Sequence, residues 1–189
     1  MLGTAGLDRP AERAAALLAE LGGLSAVVAS SEERLDTIGG RGVGRALRAA
    51  FALVRRLAAI ELDRRPIIGT SEALLAYLRV AIGHAQREEM RVLYLDAAHR
   101  LIRDEPTSRG TVARLAIYPR EIVRRALELS ASGLILAHNH PSGDPTPSAA
   151  DVAATREIVQ LARSFDIDVH DHLVVARTGH ASMRALKLI

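Results

Sequence analysis

Leu134-Ile135-Leu136-Ala137-His138-Asn139-His140-Pro141-Ser142-Gly143-Asp144-Pro145-Thr146-Pro147-Ser148-Ala149-Ala150-Asp151 is the stretch that decides the fold. Gly133 to Ala137 is a short continuous apolar run, the signature of a central strand buried on both faces. The run ends in two histidines one residue apart. A Pro/Gly loop follows, and Ser148 opens a helix to about Ser164.

Residues two apart on a strand point to the same face, so His138 and His140 can converge on one metal. Asp151 lies about one helical turn in and can aim a carboxylate at the same point. Neutral imidazole and carboxylate suit zinc, and three protein ligands plus a water mark a catalytic rather than a structural site. Such a site also needs an oxyanion donor, for which Ser148 is the candidate, and a general base supplied by a carboxylate from elsewhere. Plainer readings stand beside this one. Ser148-x-x-Asp151 also spells a capping box, and Asn139, Gly143 and Asp144 also suit a turn. A second pair, His170 and His172, lies inside a strand with no Ser-x-x-Asp after it. His172 reads as structural or as a support behind a ligand, and His170 as exposed. His84, His99 and His180 belong to no constellation.

Outward from this stretch, Ile167 to Ala176 reads as a strand, Thr178-Gly179 as a turn and Ala181 to Met183 as a short strand. Upstream, Glu121 to Ser130 is a strong helix behind Pro119. The Glu88 segment alternates into a buried strand. Arg100 to Asp104 and about Gly110 to Leu115 look like further strands of a meander. These elements predict an α/β sandwich with a mostly antiparallel sheet. Further upstream, helices are expected over Arg9 to Leu21, Leu24 to Ala29, from Glu32 onward, and about Arg45 to Leu62. Asp63 to Gly69 is charged and broken by Pro66. It reads as a linker dividing a helical domain, 1–66, from the sandwich, 67–189. Thr70 or Ser71 then caps a helix to about Ile82.

The turn Gly42-Val43-Gly44 looks like a degenerate helix-hairpin-helix, in which backbone N–H groups meet a DNA phosphate. It reads equally as a turn using glycine for left-handed angles. The chain of 189 residues carries net charge +3, with one lysine, Lys187, so arginine supplies nearly all the positive charge. The pI near 9.9 admits nucleic acid as a partner, though Arg/Ala bias explains it as well. There is no cysteine, which excludes disulfides and thiolate sites and suits a reducing cytoplasm. No apolar run reaches the roughly 18 residues that would span a membrane, and no secretory signal is evident.

His-x-His, seven residues, then Ser-x-x-Asp is the JAMM motif of MPN/JAB-domain metalloproteases. The string His138-Asn139-His140-Pro141-Ser142-Gly143-Asp144-Pro145-Thr146-Pro147-Ser148 resembles the RadC family of bacterial JAB-domain proteins. Glu88 to Asp96, Gly110-Thr111-Val112, Tyr118 to Val123 and Asp171-His172-Leu173 resemble that family too. The resemblance implies a JAB/MPN-like β-α-β sandwich with a mixed sheet and cytidine-deaminase-like layering. A small all-α helix-hairpin-helix-like domain would precede it. It also implies zinc on His138, His140 and Asp151, and hydrolysis of a peptide or isopeptide bond in a peptide or protein substrate. The general base carries over to Glu88, with Glu121 as the alternative. Glu89 would point to the opposite strand face. Two other roles stay open: a DNA-binding accessory protein using Gly42 and Gly44, and a non-catalytic scaffold.

Overall fold

The central strand of the sheet is buried along its whole length, as its apolar run predicts. The computed structural model describes residues 9–63, 71–109 and 118–189. The elements in order are α1 (Pro10–Leu21), α2 (Leu24–Ala29), α3 (Glu32–Gly39), α4 (Val43–Asp63), α5 (Ser71–Ala81), β1 (Glu89–Leu95), β2 (Leu101–Arg109), α6 (Pro119–Glu128), β3 (Gly133–Asn139), α7 (Ala149–Arg163), β4 (Asp168–Ala176) and β5 (Gly179–Ser182). The strands form one sheet in the order β2-β1-β3-β4-β5. Only β3 and β4 pair in parallel, and α7 is the crossover between them. The mixed α/β layering expected from the sequence is therefore present.

Side-chain alternation on β1 and β3 divides the core in two. Even positions Met90, Val92, Tyr94, Leu134 and Leu136 pack with Ile122, Val123 and Ala126 of α6 and Ile158 and Ala162 of α7. Odd positions Leu93, Leu95, Ile135 and Ala137 pack with Leu74, Tyr77 and Leu78 of α5. This is the two-sided burial that a central strand between helical layers requires. The site residues inherit these faces. His138 and His140 lie on the α6/α7 side, and Asn139 on the α5 side.

Two strand boundaries differ from the expectation. Strand β3 continues through His138 and Asn139, because buried polar side chains with partners extend a strand as well as apolar ones do. Leu101–Arg109 is one long strand carrying Pro106, which an edge strand tolerates at an irregular register. The third meander strand, at Gly110 to Leu115, falls outside the described residues, as does the linker at 64–70.

By contacts the chain falls into two units, Met1–Leu57 and Ala58–Ile189, dividing within α4. In the first unit Leu17, Val27, Leu35 and Val43 form a small core. Ser31 caps α3 by accepting from Arg34 N–H, as its sequence position suggests. Among the described residues no helix is long and apolar enough to cross a membrane.

Candidate metal centre

Strand β3 and the first turn of α7 bring His138, His140 and Asp151 together. One ligand atom from each lies within 4.8 Å of the others. His138 Nε2 and His140 Nε2 are 3.0 Å apart. Asp151 Oδ1 is 3.6 Å from His138 Nε2, and Asp151 Oδ2 is 3.5 Å from His140 Nε2. A tetrahedral zinc with bonds of about 2.0–2.1 Å separates its ligand atoms by about 3.3 Å, so this triangle has the right size.

The ligand chemistry fits as well. His140 Nδ1 lies 2.9 Å from the carbonyl of Asp144. A carbonyl only accepts, so the proton of neutral His140 sits on Nδ1 and leaves Nε2 a bare lone pair. Burial pushes the Asp151 carboxyl up. A proton on His138 Nε2, with the Ser148 hydroxyl and amide, outweighs this and holds the group well below the usual carboxylate range. Lone pairs and a carboxylate crowded within hydrogen-bond distance repel one another unless a cation or a proton lies between them. The cluster could hold a metal ion, and its donors are compatible with zinc.

Asp151 serves the helix and the cluster at once. The capping box is formed: Ser148 Oγ accepts from Asp151 N–H at 3.1 Å, and Asp151 Oδ2 accepts from Ser148 N–H at 2.8 Å. The same Oδ2 also accepts the Ser148 hydroxyl at 2.6 Å. One carboxylate therefore closes the capping box and also stands in the group that could hold a metal ion. The Pro/Gly loop is tied down by Thr178, whose hydroxyl donates to Gly143 O at 2.5 Å. Gly143 itself takes φ 94°, the left-handed region.

Glu88 immediately precedes β1 and is half-buried. Met90 pairs with His138 across the antiparallel β1/β3 ladder. Glu88 lies two residues before Met90, just outside the paired stretch of β1. Glu89 belongs to the opposite face. Glu121 stands in the first turn of α6, exposed and ion-paired with Arg120 and Arg124. It takes no part in the cluster.

Three supporting residues emerge from the packing. Asn139 is a buried strand residue and not a turn residue. Its Oδ1 accepts from Glu89 N–H at 2.7 Å, and its Nδ2 donates to the carbonyls of Ala85 and Arg87 at 3.2 and 3.1 Å. Those three bonds clamp the segment that carries Glu88. His172, fully buried on β4, lies behind His138, with Nε2 2.8 Å from His138 Nδ1. Thr155 stands one turn beyond Asp151 on α7 and meets the other side of His172. The i, i+4 relation of Asp151 and Thr155 was visible in the sequence; the neighbour across the gap was not. His170, expected exposed, is half-buried and packs edge-on against His99, with ring centroids 4.8 Å apart.

The Gly42 turn has a structural use. Gly42 adopts φ 86°. A Cβ on Gly44 would meet the Glu32 carbonyl at 2.4 Å, so α3 and α4 approach too closely for a side chain there. The Gly44 N–H donates to Asp36 Oδ1 at 2.7 Å. A carboxylate thus occupies the amide that a phosphate would take.

A family model described as a RadC-like JAB domain matches residues 68–188, the span holding the sheet, α7 and the histidine–aspartate cluster, and the chain belongs to that family.

Proposed function

We propose that this chain is a zinc-dependent hydrolase of the JAMM type that cleaves a peptide or isopeptide bond. The observation that supports this most directly is the convergence of two imidazoles and one carboxylate in a triangle of zinc-ligand size. His138, His140 and Asp151 would hold the ion. Bound there, zinc supplies Lewis-acid polarisation of a carbonyl and brings the pKa of water down to about 7.

The chain's own residues supply the rest. Continued past the end of β1, strand alternation would carry Glu88 to the face of the two histidines, where it takes the proton from the attacking water and returns it to the leaving amine. Ser148 stands beside Asp151 with a hydroxyl that rotates freely about its C–O bond. Turned from Asp151 Oδ2, it donates to the oxyanion as charge develops there. Asn139 holds the Ala85–Glu89 segment so that Glu88 meets the water at a fixed distance. The DNA-binding alternative draws on Gly42 and Gly44, but the Gly44 N–H is already taken by Asp36 Oδ1.

Metal analysis of the purified protein tests the ligand set. Stoichiometric zinc is expected, and its absence, or its survival in a His138→Ala, His140→Ala double variant, overturns the reading. Glu88→Gln keeps the zinc and loses hydrolysis in a screen of peptide and isopeptide libraries. Retained hydrolysis moves the base elsewhere.

A further inference from the structure

The hydrogen bonds behind His138 form a circuit. Thr155 Oγ1 is 2.6 Å from the carbonyl oxygen of Asp151 and 2.6 Å from His172 Nδ1. His172 Nε2 is 2.8 Å from His138 Nδ1. His138 Nε2 faces Asp151 again, across the cluster. The circuit therefore leaves one member of the triangle, through its backbone, and re-enters at another through a ring nitrogen. Thr155 and His172 are completely buried, and His138 nearly so, so water cannot rearrange the protons.

Each group has few options. A neutral His172 carries one proton, on one or the other ring nitrogen. The Asp151 carbonyl can only accept. When the Thr155 hydroxyl points at that carbonyl, its oxygen can only accept from His172. The His172 proton then sits on Nδ1, and Nε2 is a bare acceptor. His138 must donate to it from Nδ1, which leaves His138 Nε2 as a lone pair aimed into the triangle. When the hydroxyl points at His172 instead, every proton in the row moves over. His172 donates from Nε2, and the His138 proton comes to rest on Nε2, where it blocks a metal. The hydroxyl of Thr155 is the group in the row that can change direction by simple rotation.

We infer that Thr155 and His172 are positioning residues that set the tautomer of His138, and that the Thr155-to-Asp151 hydrogen bond is the condition for metal loading. This rests on the zinc-site reading above. The helix turn that places the Asp151 carboxylate also places the carbonyl that orients Thr155. Two ligands from different elements are thereby brought to readiness together.

The test uses the full-length chain and zinc alone. Thr155→Val keeps the shape of the side chain and removes the hydroxyl. His172 then takes the tautomer that avoids an orphaned N–H, and His138 Nε2 is protonated. Competition against a chromophoric chelator should show zinc binding weakened about 10–100-fold, with affinity recovered in Thr155→Ser. Equal affinity in wild type and Thr155→Val overturns the inference. A second measurement needs no variant. Long-range proton–nitrogen correlation on the zinc-loaded wild type should find the His172 proton on Nδ1. A proton on Nε2 overturns the inference whatever the variants do. Wild-type protein that binds no zinc defeats the site reading itself. Normal loading of wild type together with undiminished loading of Thr155→Val defeats the positioning role alone.

Discussion

Asn139→Ala separates the two faces of β3 most cleanly. The Asn139 side chain makes three bonds on the α5 side, to Glu89 N–H and the carbonyls of Ala85 and Arg87. The histidines point the other way. A net hydrogen bond contributes about 0.5–1.5 kcal/mol, so three sum to roughly 1.5–4.5 kcal/mol. Residues 84–88 form a partly exposed turn, and water can reach the two freed carbonyls. The lower half of the range therefore applies, about 2 kcal/mol, or a fall in Tm of roughly 4–8 °C for a chain of this size. Thermal melts read that loss, metal analysis reads the zinc, and hydrolysis reads the position of Glu88. Zinc content should stay at the wild-type level. Hydrolysis should fall on the order of 10²-fold, the penalty for moving a reacting group by about 1 Å. A folded variant with undiminished hydrolysis would refute the clamp, and a variant that sheds its zinc would refute the separation of faces.

Free zinc at about a hundred times its Kd should stabilise the protein by about 2.7 kcal/mol in urea titrations. The His138→Ala, His140→Ala variant should show no such gain; an equal gain would place the ion elsewhere. Arg91→Met should destabilise by about 3 kcal/mol, because it strands a buried carboxylate. Arg91 Nε binds both Asp104 oxygens at 2.8 and 3.1 Å, the side chains are 12% and 7% exposed, and Tyr77 donates to the same carboxylate. Adding Asp104→Leu should recover part of the loss, and no recovery would argue that the damage is one of packing. Burial, then the charge of His99, holds His170 below the ordinary imidazole range. The unfolded chain therefore binds more protons in the window below the unperturbed His pKa of about 6.5, and stability is lost there as pH falls. Melting temperature should drop from about pH 7 to about 5.5, and His170→Asn should flatten the drop. A slope unchanged by the substitution would assign it to other groups.

Strand β3 was legible because burial on both faces leaves a continuous apolar signature. Its last two residues were not, since His138 and Asn139 are polar and their burial depends on partners far along the chain. The cluster was legible because strand periodicity sets residues 138 and 140 on one face and the Ser-x-x-Asp that follows them resembles the JAMM motif. Whether Ser148 and Asp151 cap a helix or serve a metal was undecidable locally. The structure shows one carboxylate whose oxygens face both ways. Thr155 and Asn139 could not be read, because a hydroxyl or an amide acquires its meaning from the atom opposite. Those atoms arrive with β4 and with the turn before β1. Glu88 lies between these cases. Strand alternation suggests its face, but it precedes the paired stretch of β1 and β3, so the register does not set its level.

The double duty of Asp151 bears on how such sites decay. Substituting Asp151 undoes the cap of α7 as well as the cluster, so selection for folding alone retains the Ser-x-x-Asp pattern. His172 and His138 stand in the buried interior, where replacing either leaves one ring nitrogen of the other unpaired. His140 has lighter obligations: it is partly exposed, and its ring is tied only to Asp144 O and to the cluster. A descendant that abandoned chemistry and survived as a binding module would lose His140 first. On the hydrolase reading, a histidine at that position is therefore a sharper sign of activity than the serine and aspartate that complete the motif.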